Sequence, residues 1–250
     1  MDTTDIMTNE DLAAWAATDQ AKTVTKLDLT LTHVTNLSPL EELTQLTHLR
    51  LWGTPVSDVS PLAGLKQLVE LDLAGTQVSD VSPLAGLTQL TCLKLWRTQV
   101  SSIDSLKELT QLTELDLSYT KVFDLTPLVG LKQLVGFELG GTQVSDLSPL
   151  SEMVKLTYLG LHDTQVSDLS PLAGLNQLTQ LNLAGTQVSD VSPLAGLTQL
   201  THLRLWDTQV SDISPLSELK QLTYLDLRGT QVSDLTPLQP LIDKGLKVWS

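Results

Sequence analysis

His48, Glu70 and Cys92 are residue types that support nucleophilic catalysis, and they follow one another at intervals of 22 residues. A cysteine nucleophile reacts as the thiolate and needs a base within hydrogen-bond reach. Glu70 and Glu114, one interval to either side of Cys92, should raise the pKa of the thiol. If the interval marks successive strands, His48 lies roughly 9 to 10 Å from Cys92, too far for direct proton transfer. We expect no catalytic residues, no zinc site in this open row and no cofactor.

The interval of 22 residues is an internal repeat that runs from Val24 to Asp243 without gap or insertion and gives ten copies. The commonest copy reads LTxLxLxxTQVSDLSPLxxLxQ. Its first half alternates apolar and polar residues with the period of a short strand that buries one face. Its second half places Ser60 before Pro61, which predicts a short helical or 3₁₀ turn. New copies begin at Leu46, Leu68, Leu90, Leu112, Leu134, Leu156, Leu178, Leu200 and Leu222.

A single copy cannot bury its own leucines, so the copies must stack with their strands side by side. The predicted fold class is an α/β solenoid, an arc with a parallel β-sheet on its concave face and short 3₁₀ or helical turns on its convex face. We expect an N-terminal helical cap over residues 1–23, ten repeats over 24–243 and a C-terminal cap over 244–250, because the exposed ends of a solenoid need covering.

The pattern resembles the bacterial internalin-type leucine-rich repeat over roughly Val24 to Asp243. The resemblance implies a leucine-rich-repeat arc whose concave sheet binds proteins, as a class of activity and not as a set of binding residues. The sequence departs from the family after the strand, where the family usually has Asn and this chain has Thr. A Thr hydroxyl can still satisfy backbone groups at that turn. The threonines are Thr32, Thr54, Thr76, Thr98, Thr120, Thr142, Thr164, Thr186, Thr208 and Thr230.

An aspartate recurs just before the helical turn, where a carboxylate can accept hydrogen bonds from turn amides. The fourth copy has Ser102 in place of this Asp and Ser105 in place of the Pro, so we expect its convex side to be the least regular. The aspartates are Asp58, Asp80, Asp124, Asp146, Asp168, Asp190, Asp212 and Asp234.

The N-terminal cap is predicted from Thr8 and Asp11, which have the spacing of a capping box. We expect a helix from Asn9 to Thr18 that covers the first core layer. Trp15 on this helix is interpreted as a plug for that layer.

The C-terminal cap is predicted where Pro240 and Gly245 interrupt the repeat. Leu246, Val248 and Trp249 then have the pattern of a final short strand. Trp249 is interpreted as the plug at this end.

The third, fifth and seventh positions of each copy point away from the leucine core if the alternation holds, and we call the surface they form the open face. Trp52, Trp96 and Trp206 occupy the seventh position. Exposed tryptophan is a leading interface anchor, so these three are predicted to bind a partner. Trp52 and Trp96 flank Ala74, which predicts a slot about two strand spacings wide.

The chain also has a longer internal similarity, because residues 71–120 resemble residues 181–230 at an offset of 110. The solenoid is interpreted as a doubled block of five repeats. Trp96 and Trp206 are therefore copies of one another, and duplication alone can explain their recurrence.

The fifth position alternates in charge over the first copies, which predicts a ladder of lateral ion pairs. Three cations in this column neighbour the tryptophans and could instead stack on the indole rings. As predicted partner contacts they are Arg50, Lys94 and Arg204.

Negative charge resumes in the same column at Asp116 and Glu138, where a basic group of a partner could dock. Beyond them the open face is expected to be nearly bare. Tyr158 and His162 complete the predicted contact residues. The glycines of this bare patch are Gly136, Gly140, Gly141 and Gly160.

The net charge of −14 argues against nucleic acids and anionic membranes as partners and favours a protein with a basic patch. A single cysteine cannot form an internal disulfide. The acidic, polar N-terminus predicts no secretory signal, and no apolar run approaches the roughly 18 residues of a membrane span. We expect a monomeric, cytoplasmic protein, with a secreted or delivered effector as the alternative.

A protein-interaction module that binds a partner protein or peptide on the concave sheet is therefore the leading functional hypothesis. A sensor or regulatory segment of a larger signalling protein or complex is the second. An internalin-like adhesin or effector is the third. An enzyme is not expected.

Overall fold

The computed structural model describes residues 7–250, so residues 1–6 of the predicted N-terminal cap lie outside the described part. Two compact units make up the chain, one ending at Val122 and the other beginning at Phe123. Within each unit, every copy contributes one three-residue strand followed by one 3₁₀ turn. None of the helices in the described residues is long and apolar enough to span a membrane.

A short helix, α1 (Asn9–Ala16), lies at the start of the first unit. The Asp11 N–H donates to the Thr8 hydroxyl at 3.3 Å, and the Thr8 N–H donates to the Asp11 carboxylate at 2.9 Å. This is the predicted capping box, and the hydrogen bonds from Thr8 lower the pKa of Asp11. The helix ends before the predicted Thr18. Leu12 is completely buried whereas Trp15 is only half-buried, so Leu12 is the main apolar contact of this cap.

The first unit contains a parallel sheet in which strands adjacent in sequence are adjacent in space. Each residue pairs with its equivalent in the next copy, so that Leu49 pairs with Leu71 and Leu71 with Leu93. The strands are β1 (Lys26–Asp28), β2 (His48–Arg50), β3 (Glu70–Asp72), β4 (Cys92–Lys94) and β5 (Glu114–Asp116). The 3₁₀ turns are Ala21–Thr23, Ser38–Leu40, Ser60–Gly64, Ser82–Gly86 and Asp104–Glu108.

The second unit repeats this parallel arrangement and ends with the predicted final strand. A short helix, α2 (Gln239–Ile242), precedes that strand, and Pro240 lies in its first turn. The strands are β6 (Gly136–Glu138), β7 (Tyr158–Gly160), β8 (Gln180–Asn182), β9 (His202–Arg204), β10 (Tyr224–Asp226) and β11 (Lys247–Trp249). The 3₁₀ turns are Thr126–Leu128, Ser148–Leu150, Ser170–Leu172, Ser192–Leu194, Ser214–Glu218 and Thr236–Leu238.

The core of each unit is a stack of leucine layers. In the second copy, Leu46, Leu49 and Leu51 all have 0% exposure, because the alternation turns these positions inward. Burying one leucine side chain contributes about 1.5–3 kcal/mol, so stacking stabilises copies that could not fold singly. Phe137 takes the place of a strand leucine in one copy and is also completely buried.

The threonines that replace the family's asparagine form a hydrogen-bonded column. Each hydroxyl donates to the carbonyl oxygen of the leucine three residues earlier, as Thr98 does to Leu95 at 2.7 Å and Thr186 to Leu183 at 2.6 Å. Because these side chains are almost all buried, the bond satisfies a backbone acceptor out of reach of water. The predicted backbone role of the threonines is confirmed.

The recurring aspartates also act as predicted. Asp80 and Asp190 each accept the backbone N–H two residues later, from Ser82 and Ser192, at 2.8 Å. These hydrogen bonds stabilise the ionised form and lower the pKa of both carboxyls.

The fourth copy keeps the 3₁₀ turn of its neighbours and departs from them only in detail, with φ −123° at Ile103 against −108° at Val81. Its 3₁₀ turn at Asp104–Glu108 has five residues, as many as the turn at Ser82–Gly86 in the preceding copy. The Ser102 hydroxyl donates to the Asp104 carboxylate at 2.9 Å, and the Ser105 hydroxyl donates to the Val81 carbonyl at 3.1 Å. Hydrogen bonds from two serine hydroxyls thus stabilise this turn, where the other copies have Asp and Pro.

Candidate functional site

The open face carries the three tryptophans where the alternation placed them. The backbone ladder continues past each strand, since the Gly53 N–H donates to the Ala74 carbonyl at 2.9 Å. This keeps the seventh position pointing away from the core. Trp52 is 38% exposed, whereas Trp96 and Trp206 are half-buried.

The predicted slot between Trp52 and Trp96 is largely covered. Ala74 at its floor is only 4% exposed. The Trp52 indole nitrogen lies 3.7 Å from the position that a Cβ on Gly75 would take, so the ring leans toward the next strand. An apolar partner group would therefore rest on the indole ring itself.

The aspartates of the fifth position do not form the predicted lateral ion-pair ladder. In the first unit Asp28, Asp72 and Asp116 instead accept backbone N–H groups two residues later, at 2.9–3.0 Å. A short carboxylate two residues from an amide reaches it more easily than a cation on the neighbouring strand. Asp116, predicted to receive a basic partner group, is half-buried and already bonded to the Ser118 N–H.

Arg50 makes an ion pair on the open face of the first unit. Its partner is Glu70, at the third position of the next copy, and not an aspartate at the fifth position as the predicted ladder required. Its guanidinium donates to Glu70 at 3.2 and 3.3 Å, which raises the pKa of Arg50. His48 lies 4.0 Å from the same carboxylate. These side chains line a cavity of about 320 Å³ together with Lys26, Leu27 and Asp28.

Arg97, which the sequence reasoning did not select, is a prominent exposed group beside Trp96. Its guanidinium lies 4.7 Å from the centre of the Trp96 ring and 5.6 Å from that of Tyr119, which is cation–π geometry with both. Tyr119 is 43% exposed. Arg97 and Tyr119 follow the seventh position, in a column where every copy has a positive φ.

The sequence of that column contains a signal of the left-handed backbone. Five of its ten members are glycine, as expected for a left-handed backbone. The side chains at the other five positions must tolerate that backbone, and those of Leu31, Asp163 and Asp207 lie over the glycine of the next copy. The five are Leu31, Arg97, Tyr119, Asp163 and Asp207.

The glycine-rich stretch of the second unit is not bare, so that prediction is wrong. The His162 imidazole lies where a Cβ on Gly140 would be, and the Glu138 carboxylate lies where one on Gly160 would be. Glu138 also accepts a hydrogen bond from the Tyr158 hydroxyl. The glycines make room for neighbouring side chains, which the sequence alone did not show. Glu138, predicted as acidic docking site, is thus bonded within the sheet.

The end of the second unit carries a group of stacked rings and cations. Arg204 lies 5.7 Å from the centre of the Tyr224 ring and does not stack on Trp206, and His202 stacks on the same tyrosine at 5.8 Å. Each of these groups has an internal contact that a partner would have to use or displace.

The last strand is exposed, so Trp249 is not the predicted plug. Trp249 is 53% exposed, and the Arg228 guanidinium lies 5.9 Å from its ring centre. Arg228 is held by Asp226 at 2.6 Å, a bond that lowers the pKa of this carboxyl. Leu246, which is 6% exposed, is the buried apolar group of this end.

The row of His48, Glu70 and Cys92 is arranged as expected, on β2, β3 and β4 in matching register. Burial raises the pKa of the Cys92 thiol, and Glu70 and Glu114 add to this rise. Within residues 7–250 no three His, Cys, Asp or Glu side chains are grouped so as to hold a metal ion.

The repeats, the parallel sheets and the 3₁₀ turns define a leucine-rich-repeat solenoid. The family described as leucine-rich repeats (2 copies) matches residues 66–109, 154–196 and 198–240, more than half of the chain. No curated protein matches the sequence.

Solved structures identify the type of leucine-rich repeat more narrowly. An internalin (InlF) from Listeria monocytogenes is 29% identical, with a TM-score of 0.78 over 98% of this chain and 76% of that one. Internalin C2 from the same organism is 35% identical, with a TM-score of 0.72 over 82% of this chain and 87% of that one. The chain therefore belongs to the leucine-rich-repeat family and is of the bacterial internalin type.

The likeness in fold extends to a plant receptor. The leucine-rich-repeat ectodomain of the Arabidopsis thaliana membrane receptor kinase GASSHO1/SCHENGEN3 was solved in complex with CASPARIAN STRIP INTEGRITY FACTOR 2. It is 20% identical, with a TM-score of 0.78 over 91% of this chain and 29% of that one.

Proposed function

We propose that this chain is a protein-interaction module that binds a partner protein or peptide on the open face. The observation that carries the proposal is the exposure of Trp52, with Trp96 and Trp206 half-buried at the equivalent position of their own copies. Large, partly exposed indole rings on a rigid sheet lose little conformational freedom on binding. Leucine-rich-repeat proteins commonly act as interaction modules, and the plant ectodomain was solved with a bound factor.

The polar part of the proposed contact surface comprises Arg50, Lys94 and Arg204, with Tyr158 and His162 in the second unit. The basic partner expected from the net charge of −14 stays a prediction. It now rests on the overall charge, because Asp116 and Glu138 already accept hydrogen bonds within the protein. We also propose that the chain divides into two caps and ten repeats, that it is monomeric and that it is not an enzyme. These three statements remain predictions.

The test is affinity purification with mass spectrometry from the native lysate, using the intact chain and a variant with Trp52, Trp96 and Trp206 changed to Ala. A matched control changes Phe123, Val129 and Val154 to Ala, since these are 46–64% exposed and lie outside the open-face positions. We expect partners of the intact chain to be lost with the tryptophan variant and kept with the control. Equal recovery with a folded tryptophan variant would contradict the proposal.

An internalin-like adhesin or effector is a second candidate function, favoured by the identity to two internalins. It differs from the cytoplasmic module in location. Immunoblotting of the culture medium, cell surface and cytoplasm separates them, since an adhesin or effector should be found outside the cytoplasm.

A further inference from the structure

Among residues 7–250 the Arg97 guanidinium contacts two ring faces and donates no hydrogen bond. The Trp96 and Tyr119 rings lie 4.7 and 5.6 Å from the guanidinium carbon. Stacking engages the faces of a guanidinium and leaves the N–H groups at its edge available. A positioned guanidinium edge matches the two oxygens of a carboxylate.

Charges within the protein do not neutralise this cation. Among residues 7–250 no carboxylate lies within ion-pair distance of Arg97 or of the exposed Lys94. Asp72 and Asp116 accept backbone N–H groups and Glu70 pairs with Arg50. Asp72 and Asp116 keep their negative charge and lie one strand to either side of Lys94, so Arg97 is the cation on which the proposal rests.

The backbone at Arg97 adds a second observation. Its φ of 54° is the left-handed conformation that half of this column satisfies with glycine. Five of the ten copies carry a side chain in this conformation, so the positive φ belongs to the repeat and the residue type is what differs at Arg97. The guanidinium lies beside the Trp96 ring at the end of the strand, where a partner could reach both.

We propose that Arg97 recognises a carboxylate in an acidic peptide segment of the partner protein, with Trp52 and Trp96 receiving an adjacent apolar side chain. The proposal rests on the function proposed above and specifies the partner's chemistry at the first unit. The overall negative charge does not preclude it, because charges beyond about 8 Å are largely screened at physiological ionic strength. A basic patch elsewhere on the partner remains compatible.

The proposal is tested by panning random linear peptides displayed on phage against the purified full chain at about 0.15 M ionic strength. The Arg97→Glu variant is panned in parallel. We expect Asp and Glu to be enriched in peptides selected by the intact chain, and Lys and Arg in those selected by the variant. Far-ultraviolet circular dichroism and a cooperative melting transition establish that the variant is folded.

One selected acidic peptide is then synthesised with a fluorescent label and titrated by fluorescence polarisation. Arg97→Ala should weaken its binding about tenfold, as expected for loss of a charge-assisted hydrogen bond. Asp207→Ala, at the equivalent position of the second unit, is the matched control and should leave binding unchanged.

Three outcomes overturn the proposal: no enriched peptide, no acidic preference, or the same preference with Arg97→Glu. Where peptides are enriched, the combined Trp52, Trp96 and Trp206 alanine variant separates this failure from failure of the proposed function; where none is enriched, the affinity purification described above tests the proposed function. If that variant loses the peptides while both Arg97 variants keep them, the open face is the binding site and Arg97 has no part in it. If all variants keep them, the proposed function is wrong as well.

Discussion

Trp96 in the first unit and Trp206 in the second occupy equivalent positions 110 residues apart, and the inward residues before both are leucines. The exposed residue that follows differs in charge, being Arg97 in one case and Asp207 in the other. Arg97 stacks between Trp96 and Tyr119, whereas the Asp207 carboxylate lies over Gly229.

The comparison shows that the two surfaces have diverged over a shared scaffold. Inward leucines and threonines are constrained because a buried layer must match its neighbours in shape and hydrogen bonding. An outward side chain after the seventh position meets mostly solvent, so a change of charge there leaves the stack intact. One unit therefore presents a cation beside its tryptophan and the other an anion.

The largest expected effect tests whether the scaffolds are equivalent. Leu93 and Leu203 have 0% exposure at matching positions of β4 and β9. Leu93→Ala and Leu203→Ala should each lower the free energy of unfolding by about 2–5 kcal/mol through lost burial and a cavity. Urea denaturation measures both. A loss below about 1 kcal/mol at either site would show that the layer there repacks.

A smaller effect should distinguish the two units at the left-handed column. Gly75 and Gly185 have φ values of 66° and 67°, so alanine should destabilise both by about 1–2 kcal/mol. Gly185→Ala should be the more destabilising, because its Cβ meets the Asp163 carboxylate while that of Gly75 has ordinary contacts. Thermal melting ranks the two variants. Adding Asp163→Ala to Gly185→Ala should remove the difference, and a persistent difference would contradict this explanation.

The threonine column should contribute equally in both units. The Thr98 and Thr208 hydroxyls donate to the carbonyls of Leu95 and Leu205 at 2.7 Å. Thr98→Val and Thr208→Val keep the side-chain shape and remove one donor, which should lower stability by about 1 kcal/mol each. Denaturant midpoints measure the loss, with exposed Thr110→Val as the control. Stability equal to that of the control would show that the hydroxyl column is dispensable.

The smallest effect for a single site is the pH dependence of the turn aspartates. The pKa values of Asp80 and Asp190 are lowered from 3.8 in the folded state by hydrogen bonds from Ser82 and Ser192. Their contribution to stability is present above pH 3.8 and is lost as the pH falls through the folded-state pKa.

Asp80→Asn and Asp190→Asn should therefore flatten the acid decline in melting temperature, because the amide oxygen can accept the bond without titrating. The two variants should behave alike, since both carboxyls accept the backbone N–H two residues later at 2.8 Å. A decline as steep as that of the unchanged protein would contradict this assignment.

Most of the scaffold could be predicted from the sequence because its information is local and repeated. The period of two places Leu49 and Leu51 inward, and the hydroxyl of Thr98 and carboxylate of Asp80 act on backbone groups two or three residues away. The orientation of Trp52 also follows from the alternation. Errors arose where one copy's side chain meets another copy, as with His162 over Gly140.

The sequence by itself determined the repeat, the strand and turn of each copy, the buried leucines and the face on which the tryptophans stand, because short-range periodicity and hydrogen bonding specify them. The tertiary structure alone decided which charged side chains are available to a partner. The reach of a side chain across strands settles whether a carboxylate bonds its own backbone, as Asp116 does, or a guanidinium stacks on two rings, as Arg97 does. That choice depends on distances between copies, which no pattern within a copy contains.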